Sequence, residues 1–205
     1  MQKRLTEIIR GERPSLSFEV FPPKKSADFE TVRQATEQIA ALHPSYMSVT
    51  YGAGGGTSNY TLAVAQNLES RFGVPVLAHL SCVSSTRAGI RTRLDALRTS
   101  GLRNILALRG DMPENTDAAE LEFHYAAELV EEIKRCGDFC IGGACYPEGH
   151  PESATCEEDL RHLREKVECG CEFLVTQMFF DNSILYNFLY RSLRAGIDVP
   201  VVAGI

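Results

Sequence analysis

Apolar positions along the chain alternate between two rhythms, the 3.6-residue spacing of a half-buried helix and short, nearly continuous runs. The runs are SLSFEVF (15–21), YMSVTYG (46–52), VPVLAHL (74–80), LRNILALRG (102–110), DFCIGGACYP (138–147), CEFLVTQMFF (171–180) and IDVPVVAGI (197–205). Near-continuous apolarity suits a parallel strand whose two faces are both covered. Between the runs the helical spacing returns, with Phe29, Val32, Ile39 and Leu42 marking one helix and Leu160, Leu163 and Val167 another. Thr155 and Glu158 predict a capping box at the start of the second of these. Gly73, Gly101, Gly137, Gly170 and Gly196 each stand where a helix hands over to the next strand, a position that favours the left-handed conformation. They recur every 26 to 36 residues, the length of a strand plus its crossover helix.

Strand–helix alternation predicts an α/β protein, built as a closed barrel or as an open doubly wound sheet. The strand ends bear on that choice. Polar groups close every complete run: Glu19, Thr50 with Tyr51, His79 with Ser81, Arg109 with Asp111, Tyr146 with Glu148, and Gln177. A closed barrel brings all its strand ends to one mouth, whereas an open sheet uses mainly those at its switch point. The expected fold is therefore a (β/α)8 TIM barrel, present as about six and a half βα units. Such barrels run to about 250 residues, so residues 1–205 are expected to form a single barrel domain, incomplete at the C-terminus.

Composition narrows the function. With 205 residues, 44% hydrophobic and 23% charged, the chain has the make-up of a folded globular protein with one core. A net charge of -6 and a pI of about 5.4 provide no basic field, so nucleic acid is not an expected partner. The opening MQKRLTEIIRGERPS lacks the apolar centre of a secretion signal, and no run is long enough to span a bilayer. Seven cysteines, at 82, 136, 140, 145, 156, 169 and 171, are an odd number without such a signal, which fits reduced thiols and a cytoplasmic location. Neither Cys136/Cys140 nor Cys169/Cys171 has zinc-knuckle spacing, and no metal is expected.

Several strand-end groups could carry chemistry. Glu19 sits in an apolar run, where a carboxylate is costly; it is either a buried acid tied to a barrel cation or a general acid with a raised pKa. Arg109, Gly110 and Asp111 follow one another: they form a pair that seals the mouth, or a ligand platform that Gly110 lets approach the backbone. His79 reads equally as a core imidazole or a site residue. Tyr146-Pro-Glu148-Gly-His150 makes a stiff polar loop, but Glu148 and His150 lack a third metal ligand at a recognisable spacing. Gln177 could read a heterocycle edge or bond only the adjacent strand. Gly52 to Gly56 is not a dinucleotide fingerprint, because Thr57 stands where the third glycine would be. An organic cofactor fits this set better than a metal.

Taken in order, SFEVFPPK, SVTYGAGG, AHLSC, ILALRGD, YPEGHPE and TQMFFD resemble the methylenetetrahydrofolate reductase family of the FAD-dependent, bacterial type, from about residue 13 onward. The resemblance implies a flavoprotein barrel that binds FAD, takes hydride from NAD(P)H and reduces 5,10-methylenetetrahydrofolate to 5-methyltetrahydrofolate for methionine synthesis. It makes Glu19 the general acid that protonates the folate and Asp111 a carboxylate near flavin and pterin. Gln177 becomes a contact to folate or nicotinamide. Thr50, Tyr51, Ala53, His79, Arg109, Gly110, Asp111, Ala126, Tyr146, His150, Asp159 and Lys166 match positions lining the FAD site. The alternative is a non-catalytic flavin-binding barrel fragment. A homo-oligomer is compatible with the sequence, and a protein electron donor is open beside NADH and NADPH.

Overall fold

The computed structural model describes residues 2–23, 28–51, 58–112, 119 and 121–205. Among them the elements run α1 (Leu5–Ile9), β1 (Ser17–Val20), α2 (Phe29–Ala40), β2 (Tyr46–Val49), α3 (Ser58–Phe72), β3 (Val76–Ser81), α4 (Arg87–Thr99) and β4 (Asn104–Leu108). They continue with α5 (Ala126–Cys136), β5 (Cys140–Cys145), α6 (Cys156–Glu168), β6 (Phe173–Thr176), α7 (Asn182–Arg194) and β7 (Val201–Val202). Each strand lies parallel to the next in sequence, giving the spatial order β1-β2-β3-β4-β5-β6-β7. A doubly wound sheet would reverse direction at a switch point, and this one never does. With right-handed twist accumulating in one sense, the sheet curls into a half-barrel.

Side-chain alternation along the strands separates two apolar layers. Tyr46, Leu77, Leu106, Cys140 and Phe173 form one cluster inside the curl. Val49, Val76, Ala78, Ile105, Ala107 and Ile141 pack outward with helix residues such as Leu68, Leu94 and Ile133. Gly142 and Gly143 are needed because both sides of β5 are crowded. A Cβ on Gly142 would sit 2.5 Å from the Phe173 ring, and one on Gly143 would sit 2.7 Å from Cδ of Lys166.

The bottom of the curl is closed by an element that the sequence pattern did not reveal. Leu5 of α1 inserts fully buried into the inner cluster, flanked by Ile8 and Ile9. Its amide donates to Oδ1 of Asn104 (2.9 Å), and Arg4 pairs with Asp138 (2.6 Å) and Glu172 (2.7 Å). A helix of five residues is too short to display a period or to be stable alone, so packing makes it.

All five junction glycines have positive φ, from 61° at Gly73 to 154° at Gly137. Thr155 caps α6 as expected, its Oγ1 accepting from the Glu158 amide (3.1 Å), but the Glu158 carboxylate reaches back to the amide of Ala154, not Thr155. Leu160 and Val167 flank the buried Leu163 on α6. Leu42 departs from expectation, lying beyond α2 and 69% exposed; Thr36 and Ala40 supply the buried positions of that helix.

Candidate active site

The polar ends of β1, β2 and β3 converge inside the upper part of the curl. Glu19 is in register with Ser48 across β1 and β2. The Ser48 hydroxyl donates to Oε2 of Glu19 (3.3 Å), and Nε2 of His79 lies 3.7 Å from the same oxygen. No barrel lysine or arginine ties Glu19 down among the described residues, and its side chain is 49% exposed, so the buried-and-paired reading fails. Even so, the partial loss of water raises its pKa, with the Ser48 hydrogen bond opposing the shift.

The His79 side chain is only 8% exposed, and burial pushes its pKa down to about 4. The imidazole is therefore neutral near pH 7, and its approach to Glu19 is not an ion pair. Its Nε2 is buried without a hydrogen-bond partner.

A second cluster spans β4 and β5. Arg109 makes a two-pronged bond to Glu152, one branch at 2.6 Å, and this contact holds the guanidinium charged. Of the two readings of this motif, the Arg109–Asp111 pair is not formed: Arg109 bonds Glu152 instead, and Asp111 stays exposed. Gly110 has φ 88°, and a Cβ there would lie 3.2 Å from both Ser81 and Val83. The protein's own β3 end therefore already requires glycine here.

Tyr146 and His150 meet edge to face at 4.6 Å, and burial, aided by nearby Asp111, pushes the Tyr146 phenol up. Asp159 accepts from the His150 amide (3.3 Å). Lys166 is drawn under the same loop, its Nζ donating to the Ala144 carbonyl (2.7 Å), and burial lowers its pKa.

The other expected residues are placed more loosely. The Thr50 carbonyl accepts from Thr61 (3.0 Å), and the Tyr51 ring lies 5.4 Å from the Arg93 guanidinium. Ala126 begins α5. The backbone amide of Gln177 bonds Cys145 (2.7 Å), leaving its side chain exposed at the mouth. Ala53 and the Gly52–Gly56 cluster lie outside the described residues. Sequence reasoning missed Ser48 and Glu152. Alternation along SVTYG would have marked Ser48 as inward-facing, but no spacing rule links Glu152 to Arg109.

Among the described residues no group of three or more His, Cys, Asp or Glu could hold a metal. All seven cysteines are unbridged, and burial pushes the Cys82, Cys145 and Cys171 thiols up to about 12. Among the described residues no helix is long and apolar enough to cross a membrane.

These features define a partial parallel β/α barrel with polar groups at its strand C-termini. Residues 4–205 match the methylenetetrahydrofolate reductase family, and the chain belongs to it. It is 39% identical over 191 residues to 5,10-methylenetetrahydrofolate reductase of Salmonella typhimurium, covering 93% of this chain and 64% of the relative. A methylenetetrahydrofolate reductase (NADH) of Zea mays is 35% identical over 217 residues, covering 99% of this chain and 37% of the plant protein. The chain thus spans somewhat under two thirds of the length of its bacterial relatives.

Among solved structures, a Clostridium thermocellum protein that binds two copies of 5-methyl-5,6,7,8-tetrahydrofolic acid superposes with a TM-score of 0.68 at 16% identity, covering 98% of this chain and 69% of that one. An oxaloacetate acetylhydrolase superposes at 0.65 and 10% identity, covering 100% and 80%. At such identities the likeness is one of fold.

Proposed function

We propose that residues 1–205 form a flavin-binding barrel domain of a cytoplasmic enzyme that reduces 5,10-methylenetetrahydrofolate to 5-methyltetrahydrofolate with electrons from NAD(P)H. The observation that carries the reading is Glu19, a carboxyl with a raised pKa at the end of β1, in a chain of this family. An acid catalyst must begin protonated, and withdrawal of water favours that state. Neutral His79 does not compete for the proton, because burial disfavours its imidazolium.

The donor set fits FAD. Arg109 offers a guanidinium for a pyrophosphate, Thr50 a hydroxyl, and Tyr51 and Tyr146 ring faces, while His79, Gly110, Asp159, Lys166 and Ala126 complete the expected lining. When bound, the flavin supplies the hydride that the folate accepts. Gln177 presents an exposed amide that can donate and accept along one edge of a heterocycle. Asp111, exposed just beyond the end of β4, presents a carboxyl group. The bacterial relatives named 5,10-methylenetetrahydrofolate reductase support a folate as the substrate class.

The visible spectrum of the purified chain and the rates of its two half-reactions test this reading. Glu19→Gln should leave flavin reduction by NAD(P)H nearly intact and slow folate reduction at least about 10²-fold, the lower range of general acid catalysis. Equal loss in both half-reactions would remove Glu19 from the acid role, and protein that takes up no flavin would end the reading altogether.

A further inference from the structure

We propose that Ser48 is a positioning residue for Glu19, its hydroxyl holding Oε2 in place at the apex of a Glu19–Ser48–His79 arrangement carried by three adjacent strands. The inference rests on the reading of Glu19 as the acid.

Three observations carry it. Ser48 is in register with Glu19, so its side chain emerges on the same inner face at the same height. It is buried at 8% exposure, and among the described residues its hydroxyl donates to Glu19 Oε2 (3.3 Å). On the other side of that oxygen stands His79, whose buried Nε2 lacks a hydrogen-bond partner and lies 3.7 Å away. Among the described residues, Ser48 from β2 and His79 from β3 are the polar groups that reach Glu19, and no lysine or arginine lies within ion-pair distance.

The arrangement has a direction. A hydroxyl that donates to Oε2 favours the carboxylate, while partial burial favours the acid, so Ser48 keeps the carboxyl from becoming too weak an acid to give its proton away. It also restricts a half-exposed side chain to the rotamer in which Oε2 faces the interior. Once the proton has left for the substrate, the same hydroxyl stabilises the carboxylate left behind.

The test is a carboxyl titration of the full chain, followed by 13C NMR of labelled glutamate, with the Glu19 signal assigned by its loss in Glu19→Gln. Ser48→Ala should raise the proton affinity of Glu19 by roughly three- to ten-fold, the scale of one hydrogen bond to a charged group at a half-exposed site. Ser48→Thr, which keeps the hydroxyl, should titrate close to the wild type. The result that overturns the proposal is a Glu19 titration identical in wild type and Ser48→Ala. A Ser48→Thr titration that follows Ser48→Ala also counts against it, because bulk and not the hydroxyl would then matter. This readout needs no turnover, so it stands apart from the reductase reading. If the titration shifts but no folate is reduced, the positioning contact survives and the reading falls.

Discussion

Leu5→Ala should destabilise the protein strongly, although sequence periodicity assigns Leu5 to no element. Its side chain has no exposed surface and packs with Leu77, Leu106, Cys140 and Phe173 at the bottom of the curl. Those neighbours stand on four strands whose register is set by the sheet, so they cannot collapse into the space a truncation would leave. Leu-to-Ala changes in such settings cost about 2–5 kcal/mol, and limited collapse argues for at least about 3. Set against a total stability of about 5–15 kcal/mol, that is a large fraction. For a chain of this size each kcal/mol moves Tm by about 2–4 °C, so a drop of about 6–12 °C is expected.

Urea unfolding and thermal melts measure the effect, with Leu16→Ala, at a residue 62% exposed, as the control that should stay within about 0.5 kcal/mol of wild type. Asn104 extends the test, because it accepts from the Leu5 amide (2.9 Å) and donates to the Lys3 carbonyl (3.1 Å). Leu5→Ala and Asn104→Ala together should cost less than the sum of their separate effects, since either alone loosens the same helix. A Leu5→Ala protein that unfolds at the wild-type midpoint would refute the reasoning and show that α1 does not close the barrel.

Glu132 is 1% exposed between α4 and α5; burial pushes its carboxyl up, but bonds from Arg91 (2.6 Å) and Arg87 (3.2 Å) together pull it down further. A carboxyl depressed in the folded state adds stability above its unfolded pKa of about 4.3 and loses it as pH falls through the folded value. Wild type should therefore exceed Glu132→Gln in urea resistance at pH 7, with the gap closing below about pH 4; a gap that persists in acid would contradict this. Gly142→Ala places a methyl 2.5 Å from the Phe173 ring and should cost about 1–3 kcal/mol by overpacking. Adding Phe173→Leu should recover part of that loss in the same unfolding assay, and a Gly142→Ala variant as stable as wild type would show that β5 and β6 have room to spare.

What can be read along the chain is local. The shift from helical spacing to apolar runs located the seven strands and the helices between them, because each pattern records which side of one element is buried. The junction glycines marked the helix ends for the same reason, since the positive φ belongs to the residue itself. Strand-end polarity pointed to one mouth, and with it to Glu19, His79, Arg109 and Gln177. What faces each of these groups is a different matter. Ser48 lies 29 residues from Glu19 and Glu152 lies 43 from Arg109, and both contacts depend on the heights at which separate strands and loops are set beside one another. Alternation says that a residue points inward; only register says what it meets there. The sequence motif Arg109-Gly110-Asp111 could not reveal that its arginine bonds Glu152 and that its glycine is crowded by Ser81 and Val83. Nor could the charged opening segment reveal α1, a helix too short to have a rhythm of its own, which forms because the open end of the barrel offers Leu5 a place out of water.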